Sequence, residues 1–331
     1  MLRMPSHRVV SRIVALWTSG LLGCASHSLM TVNVPVSDLR ATPKTQAVPD
    51  GHDPLQETQL LYGERVRALE RRNGWTRIEA VEQPEFTHAN RWQGYPGWVP
   101  TAALSRQDAP SPTIMVTEKW APAYWNANAL TPSPWRFAMG TRLQATAEGE
   151  LWRVHLVRGE TVWIPRRFAT SLGQLDALPS SERRREILRR AEQLLGDPYY
   201  WGGRSPRAAV GTSGVTGVDC SGLVNLAYRA AGVTIPRDAH EQSLRARAVQ
   251  TLEPADLVFL SAPANPRKIV HVMLYAGDDN VIEAPGTGLS VRRISLQERL
   301  GRPLKQLHPG LIVNEQRVSF GSYLSTSNSP R

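Results

Sequence analysis

The sequence predicts a multidomain chain in which two small β domains precede one α+β domain. Apolar and polar residues alternate between turn formers in residues 32–104 and again in 112–171, as expected of short strands. From residue 180 onward the apolar spacing becomes helical, and several short apolar runs with strand character follow the helices. One pair of helices followed by an antiparallel sheet is typical of the α+β class. The 331 residues are enough for these domains.

The N-terminus has the pattern of a bacterial export signal. A basic start precedes an apolar run at residues 13–22, which is too short to span a bilayer. The segment Leu21-Leu22-Gly23-Cys24 resembles a lipobox, in which the signal is cleaved before the cysteine and the cysteine is acylated. We therefore expect a signal peptide at residues 1–23, lipidation of Cys24 and a polar tether at 24–31. An ordinary signal peptide and an unmodified cysteine are the alternatives.

Two observations concern location and partners. Ala25, and not an aspartate, follows the lipobox cysteine, and by resemblance to lipoprotein sorting rules this favours the outer membrane, facing the periplasm. The formal net charge of +10 favours anionic partners such as cell wall, lipid head groups or nucleic acid, without choosing among them.

The two β stretches look like repeats of one domain. Three positions recur at a single offset of 77 residues, namely Gly63, Val66 and Trp75 in the first stretch and Gly140, Leu143 and Trp152 in the second. Each stretch also ends in a similar phrase, Gly-Trp-Val-Pro and then Val-Trp-Ile-Pro. This pattern resembles tandem bacterial SH3-like domains, which are small β-barrels. We assign residues 32–108 to the first and 109–172 to a second, degenerate copy. One larger β domain is the alternative.

Cys220 is the leading candidate for a nucleophile. If Cys24, the only other cysteine, carries lipid, then Cys220 has no intramolecular partner in an oxidising compartment, where a lone thiol is usually avoided. Asp219 is a good N-cap for a helix that begins at Cys220. The free N–H groups and the dipole at a helix start stabilise a thiolate and an oxyanion. A buried structural cysteine is the alternative.

A cysteine nucleophile needs a base, and His271 is the candidate. The predicted strand 269–275 alternates, so that Val270, Val272 and Leu274 face one side and His271 faces the other. A single histidine on a strand is more often a surface or core residue. The surrounding sequence motifs favour the catalytic interpretation here.

Those motifs are Tyr200-Trp201-Gly202-Gly203, Asp219-Cys220-Ser221-Gly222-Leu223-Val224 and the strand of His271. Together they resemble the NlpC family of papain-like wall peptidases over about residues 185–315. We assign residues 182–316 to this NlpC-type α+β domain, after a linker at 173–181. The tail at 317–331 is polar and rich in serine, which predicts disorder.

The resemblance implies a catalytic pair of Cys220 and His271 and a third polar group that orients the imidazole. In the family this group is often a second histidine, but Glu283 occupies the matching position here. A carboxylate can accept the imidazole N–H and stabilise the imidazolium, so the chemistry survives the change. Glu283 is the expected third member, and a surface glutamate is the alternative.

The resemblance also implies substrate-binding residues. Tyr200 is expected near the oxyanion, and Asp219 and Ser221 beside the charged ends of the substrate, with helix capping as the alternative for Asp219. SH3-like domains before such a peptidase resemble the γ-D-glutamyl-L-diamino-acid endopeptidases, whose first β domain supplies an acid and a tyrosine that bind the free amine of L-Ala. Glu64 and Tyr95 hold the matching positions. A solvated turn glutamate and a packing tyrosine are the alternatives.

The function that these expectations imply is hydrolysis of the γ-D-Glu–diamino acid amide of peptidoglycan stem peptides through a covalent thioester. Peptides with a free N-terminal L-Ala are the expected substrates, a membrane is the expected partner of the lipid anchor, and no nucleic acid is expected. No cofactor or metal is expected, because the histidines and acids lack ligand spacing such as His-Glu-x-x-His. The alternatives are cleavage of cross-links or of the muramyl–L-Ala amide by the same fold, and a noncatalytic wall-binding lipoprotein.

Overall fold

The computed structural model of the protein describes residues 28–45, 52–208 and 216–325. The expected signal peptide and the lipidated Cys24 lie outside the described residues. Within these ranges, every helix is too short or too polar to cross a membrane.

The first seven strands form one antiparallel sheet. They are β1 (Leu29–Val32), β2 (Val36–Arg40), β3 (Gln56–Leu61), β4 (Arg65–Arg72), β5 (Trp75–Glu85), β6 (Gln93–Pro100) and β7 (Leu104–Ser105). Their order across the sheet is β3-β2-β6-β5-β4-β1-β7. The polar tether expected at 24–31 is wrong for its last three residues, because β1 pairs with β4 and β7 and buries Met30 in the apolar core of this sheet.

The next seven strands repeat this arrangement. They are β8 (Ile114–Val116), β9 (Trp120–Tyr124), β10 (Pro132–Ala138), β11 (Arg142–Glu148), β12 (Leu151–His155), β13 (Thr161–Pro165) and β14 (Ala169–Ser171). Their order is β10-β9-β13-β12-β11-β8-β14, which is the first order shifted by seven strands. Gly63 and Gly140 occupy matching left-handed turns, at φ +79° and +81°. The 77-residue offset therefore marks a structural repeat.

Each sheet has its own apolar core, centred on residues such as Ile78 in the first and Val154 in the second. The expected closed barrels are not found, since strand pairing among the described residues leaves both sheets open. The last strand of each sheet is short, with two residues in β7 and three in β14, and pairs with one neighbour only.

The remaining chain forms an α+β unit. Its helices are α1 (Leu172–Asp176), α2 (Ser180–Gln193), α3 (Cys220–Ala230), α4 (Ala239–Arg245) and α5 (Leu296–Leu300). Its strands are β15 (Arg204–Ser205), β16 (Gly217–Val218), β17 (Arg247–Ala248), β18 (Leu257–Ala262), β19 (Asn265–Gly277), β20 (Asn280–Glu283), β21 (Arg292–Ser295), β22 (Ile312–Val313) and β23 (Gln316–Ser322). Most of these strands form an antiparallel sheet in the order β17-β23-β18-β19-β20-β21.

Two boundary expectations need correction. The tail expected to be disordered contains β23, which lies between β17 and β18 and buries Val318 and Phe320 on alternate positions. Residues 326–331 lie outside the described part of the chain. The expected linker at 173–181 is largely helical, because α1 occupies its first part and buries Leu175, and α2 begins at Ser180.

Helix α3 begins at Cys220. Its start is fixed by Asp219, whose carboxylate accepts a hydrogen bond from the Gly222 backbone N–H at 2.6 Å. A side chain at Gly222 would place Cβ 2.0 Å from the Gly203 carbonyl oxygen, so only glycine allows this close approach. The helix is buried from Ser221 to Ala230 and packs against α2 and β19.

Candidate active site

Cys220, His271 and Glu283 come together at one end of the α+β unit. Cys220 is the first residue of α3, His271 lies on β19, and Glu283 is the last residue of the neighbouring strand β20. His271 Nε2 lies 2.8 Å from Glu283 Oε2, and the imidazole also hydrogen-bonds Cys220. Because Nε2 faces the carboxylate, Nδ1 is the ring nitrogen on the Cys220 side. The order thiol, imidazole, carboxylate is that of an activated cysteine nucleophile.

The electrostatics favour a charged imidazole. Burial opposes the charge on His271, but the hydrogen bonds to Cys220 and Glu283 outweigh it and raise the pKa of His271 from 6.5 to about 9. Burial raises the pKa of Glu283, whereas hydrogen bonds and charge from His271 and Arg299 lower it, with a net fall from 4.5 to about 2. At neutral pH the carboxylate is therefore ionised and the imidazole protonated, so that a positive charge faces the sulfur of Cys220.

A cavity of about 430 Å³ opens beside Cys220 and His271. Its walls come from two parts of the chain. The α+β unit supplies Tyr199, Trp201 and Asp238, and the first β sheet and its loops supply Glu57 and Tyr95. The substrate site is therefore completed by the docking of the first β sheet on the α+β unit.

Comparison with known proteins identifies the family. The profile of the NlpC/P60 family matches residues 196–302. A gamma-D-glutamyl-L-lysine dipeptidyl-peptidase of Bacillus cereus is 31% identical over 248 residues, which cover 72% of this chain and 70% of that protein. The chain belongs to the NlpC/P60 family. It is a cysteine peptidase of that family, and the matched residues contain α3, His271 and Glu283.

Two further relatives extend the match over the β sheets. The gamma-D-glutamyl-L-lysine dipeptidyl-peptidase of Bacillus subtilis is 28% identical over 254 residues, or 75% of this chain and 78% of that protein. A crystal structure of an NlpC/P60 family protein from Bacillus cereus has a TM-score of 0.70 and 25% sequence identity, and the match covers 90% of this chain and 100% of that one. The β-rich N-terminal half is thus part of the shared architecture.

Asp219 and Ser221 line the cavity of this NlpC/P60 peptidase. The carboxylate of Asp219 is already engaged, because it caps α3, accepts from Gly202 N at 3.0 Å and pairs with Arg237 at 2.8 Å. Arg237 is completely buried and also donates to Ser221 Oγ at 2.8 Å. These contacts favour a role for Asp219 in positioning its neighbours. Ser221 contributes its polar side chain to the cavity wall.

Of the two neighbouring tyrosines in the motif, Tyr199 lines the cavity and Tyr200 does not, so the expected placement of Tyr200 is wrong. Tyr200 is 3% exposed and does not line the cavity, and its electrostatic neighbours are Asp38, Asp53 and Arg40 of the first β sheet and its loops. Tyr199 lines the cavity beside Cys220. Burial, then the negative charges of Asp219 and Cys220, raise the pKa of Tyr199 far above its usual 10, so its hydroxyl remains a hydrogen-bond donor.

Glu64 does not reach the cavity either, so its assignment to the substrate amine is wrong. It is 1% exposed and pairs with Arg204 at 2.9 Å and with Arg229 at 3.3 Å, both from the α+β unit. Without it the buried Arg204 would lose its carboxylate partner, whereas Arg229 would keep its pair with Glu82 at 2.9 Å. Glu64 therefore forms ion pairs between the first β sheet and the α+β unit. The carboxylate of this sheet that lines the cavity is Glu57, on β3.

Tyr95 lies where a substrate amine could bind. Its Oη is 2.9 Å from Asp238 Oδ2 and 3.2 Å from Glu57 Oε2, so two carboxylates converge on one hydroxyl. Burial raises the pKa of Asp238 to about 7 even though Arg237 lowers it, and the charges of Asp219 and Glu241 add to the rise. An ammonium group placed between these carboxylates would relieve their repulsion.

Sequence reasoning missed Glu57, Asp238 and Tyr199. Asp238 carried a local signal, because it directly precedes helix α4 and an aspartate at that place reads as an N-cap. Its side chain makes no capping hydrogen bond and points to Tyr95. Glu57 carried no signal in its own strand, since its role depends on how the first β sheet docks.

Proposed function

We propose that this peptidase hydrolyses the γ-D-Glu–diamino acid amide of peptidoglycan stem peptides whose N-terminal L-Ala is free. The observation that carries the proposal is the convergence of Glu57 and Asp238 on the Tyr95 hydroxyl, in the same cavity as Cys220. Paired carboxylates select a cation, and the L-Ala-γ-D-Glu dipeptide separates the L-Ala ammonium from the scissile amide. The two Bacillus relatives are named gamma-D-glutamyl-L-lysine dipeptidyl-peptidases, which supports cleavage of this bond after an N-terminal dipeptide.

In this proposal the Cys220 thiolate attacks the γ-carbonyl carbon of D-Glu. A C–S bond forms, the amide C–N bond breaks, and protonated His271 gives its proton to the departing amine of the diamino acid. L-Ala-γ-D-Glu remains on Cys220 as a thioester. His271 then takes a proton from water, the hydroxide equivalent adds to the thioester, and the thiolate leaves. The neutral hydroxyl of Tyr199 is the candidate donor to the oxyanion.

The first β sheet makes the enzyme selective for released fragments. In intact peptidoglycan the L-Ala nitrogen is an uncharged amide joined to muramic acid, so it cannot pair with Glu57 and Asp238. Free stem peptides carry the ammonium that these carboxylates can bind, which favours turnover of released fragments over cleavage of the wall itself.

Three finer assignments belong to the same proposal. Both β sheets are degenerate or open members of the SH3-like class, as the repeated strand order and the sequence phrases suggest. Cys24 carries a lipid anchor, as the lipobox resemblance implies. The anchored enzyme then faces the periplasm from the outer membrane, where wall fragments are released.

The test compares L-Ala-γ-D-Glu-L-Lys with its N-acetylated form in the purified soluble chain. The proposal predicts that kcat/KM is about ten- to a hundredfold higher for the free peptide, from a charge-assisted interaction of roughly 1.5–3 kcal/mol. Equal rates on the two peptides would show that the enzyme does not recognise the N-terminal amine. Cleavage of cross-linked wall in preference to both would favour the cross-link alternative.

A further inference from the structure

The carboxylate that orients His271 is held by two arginines. Arg292 Nη2 lies 2.7 Å from Glu283 Oε1, and Arg299 Nε lies 3.0 Å from Oε1 and 2.9 Å from Oε2. His271 Nε2 takes the remaining side of Oε2 at 2.8 Å. Glu283 is completely buried, and within the described part of the chain it is the only ion-pair partner of either arginine.

The fold places both arginines for this contact. Arg292 is directly opposite Glu283 in the antiparallel pair of β21 with β20, where cross-strand side chains meet. Arg299 lies on α5, which starts immediately after β21 with a capping box of Ser295 and Glu298. The buried Leu296 and Leu300 anchor this short helix on the sheet. The two guanidinium groups therefore approach the carboxylate from fixed positions on two elements.

Charge explains why this position needs them. An imidazole or amide at this place could orient the catalytic histidine without introducing a charge, whereas a buried carboxylate must be paired. If His271 were the only partner of the carboxylate, the full negative charge of Glu283 would stabilise the imidazolium. The imidazolium would then be too stable for efficient proton transfer. Two guanidinium groups on the outer side share that charge.

We propose that Arg292 and Arg299 are positioning residues that keep Glu283 ionised and aimed at His271 Nε2 while limiting how strongly it stabilises the imidazolium. This inference rests on the active-site roles of Cys220, His271 and Glu283 in the proposed function. It does not depend on which peptide bond is cleaved.

Other charged groups near the imidazole must be considered for any pH effect. Those that face His271 or line its cavity are Cys220 on α3, Glu283 on β20, Lys268 on β19 itself, His240 and Glu241 on α4, Asp219 and Asp238 directly before α3 and α4, Tyr199, and Glu57, His88 and Tyr95 of the first β sheet and its loops. Arg292 and Arg299 act from behind the carboxylate, outside this cavity. Their removal therefore changes the imidazole through Glu283 and leaves the cavity lining in place.

The experiment measures the rate of Cys220 alkylation by iodoacetamide against pH, which needs no peptide substrate. The thiolate of an ion pair reacts faster once its imidazolium partner deprotonates, so the upper inflection reports His271. In Arg299→Met the unshared charge of Glu283 should move this inflection up by roughly half to one pH unit. Arg299→Lys, which keeps the charge, should restore most of the wild-type value. Arg293→Met removes an exposed arginine of β21 that pairs with Glu192, and should change nothing.

A second comparison separates action through Glu283 from a general effect of charge. In a protein that already carries Glu283→Gln, adding Arg299→Met should leave the upper inflection at the pH found for Glu283→Gln alone. An unchanged inflection in Arg299→Met alone, or the same shift in both backgrounds, would overturn the inference. If Arg299→Met fails to fold, Arg292→Met gives the same comparison from β21. Alkylation that follows these expectations, together with no cleavage of any stem peptide, would refute the proposed function and leave this inference standing.

Discussion

Asp238 offers the sharpest test of amine recognition, because its charge changes within an accessible pH range. Asp238→Asn keeps the size of the side chain and its contact with the Tyr95 hydroxyl, but removes the negative charge that would pair with the L-Ala ammonium. A charge-assisted hydrogen bond of this kind contributes about 1.5–3 kcal/mol. We therefore expect kcat/KM for the free peptide to fall by about ten- to a hundredfold, and kcat/KM for the N-acetylated peptide to change little.

The same residue predicts a pH dependence. Burial raises the pKa of Asp238 to about 7, so in the free enzyme the carboxyl is charged above pH 7 and neutral below it. The kcat/KM for the free peptide should fall as pH drops through 7, since this ratio reports groups of the free enzyme. Asp238→Asn should abolish this step, and the N-acetylated peptide should not show it.

The assay follows release of the diamino acid from both peptides between pH 5 and 9. Glu70→Gln is the matched control, because Glu70 is an exposed carboxylate on β4, away from the cavity. If Asp238→Asn lowers kcat/KM equally for both peptides, Asp238 supports the structure of the site and does not recognise the amine. A pH step that persists in the variant would assign the titration to another group.

Four other substitutions test the nucleophile, the orienting carboxylate, the interface between the first β sheet and the α+β unit, and the lipid anchor. Cys220→Ser should abolish hydrolysis without lowering Tm, and measurable turnover would exclude it as the nucleophile. Glu283→Gln should lower kcat more than it changes KM, because an amide cannot accept from His271 and from both arginines at once, and an unchanged kcat would remove Glu283 from the catalytic set. Glu64→Gln should cost about 3–5 kcal/mol in the free energy of unfolding, measured by urea denaturation, because it leaves the buried guanidinium of Arg204 without a carboxylate partner, although Arg229 keeps Glu82. Cys24→Ala should release the protein from the membrane fraction, and a variant that still sediments with membranes would contradict the lipid anchor.

Local chemistry explains what could be predicted from the sequence. Asp219 caps α3 through contacts within three residues, so the helix start at Cys220 could be read directly. The apolar run at residues 269–275 indicated β19, but the expected alternation is wrong, because Val270 is 45% exposed and Met273 is buried as fully as Val272 and Leu274. The family resemblance then pointed to Glu283, twelve residues after His271, and β20 brings it to the imidazole through ordinary antiparallel pairing.

Long-range docking explains what could not be predicted. Glu57 and Glu64 lie seven positions apart on either side of one turn, and only the seating of the first β sheet on the α+β unit decides which of them meets Arg204 and which enters the cavity. Strand β23 was missed for a similar reason, since its serine-rich sequence gains its structure from pairing with β18, about sixty residues earlier. The arginines behind Glu283 also come from later elements, and nothing near Glu283 in the sequence indicates them.

Hydrolysis of the γ-D-Glu–diamino acid amide by Cys220 is tested by the mass spectrum of the products formed from L-Ala-γ-D-Glu-diaminopimelate and from the matching L-Lys peptide. We expect L-Ala-γ-D-Glu and the free diamino acid from at least one of them, no products from the Cys220→Ser protein, and little product when L-Ala is acetylated. Cleavage at another bond, or turnover that survives Cys220→Ser, would refute this assignment.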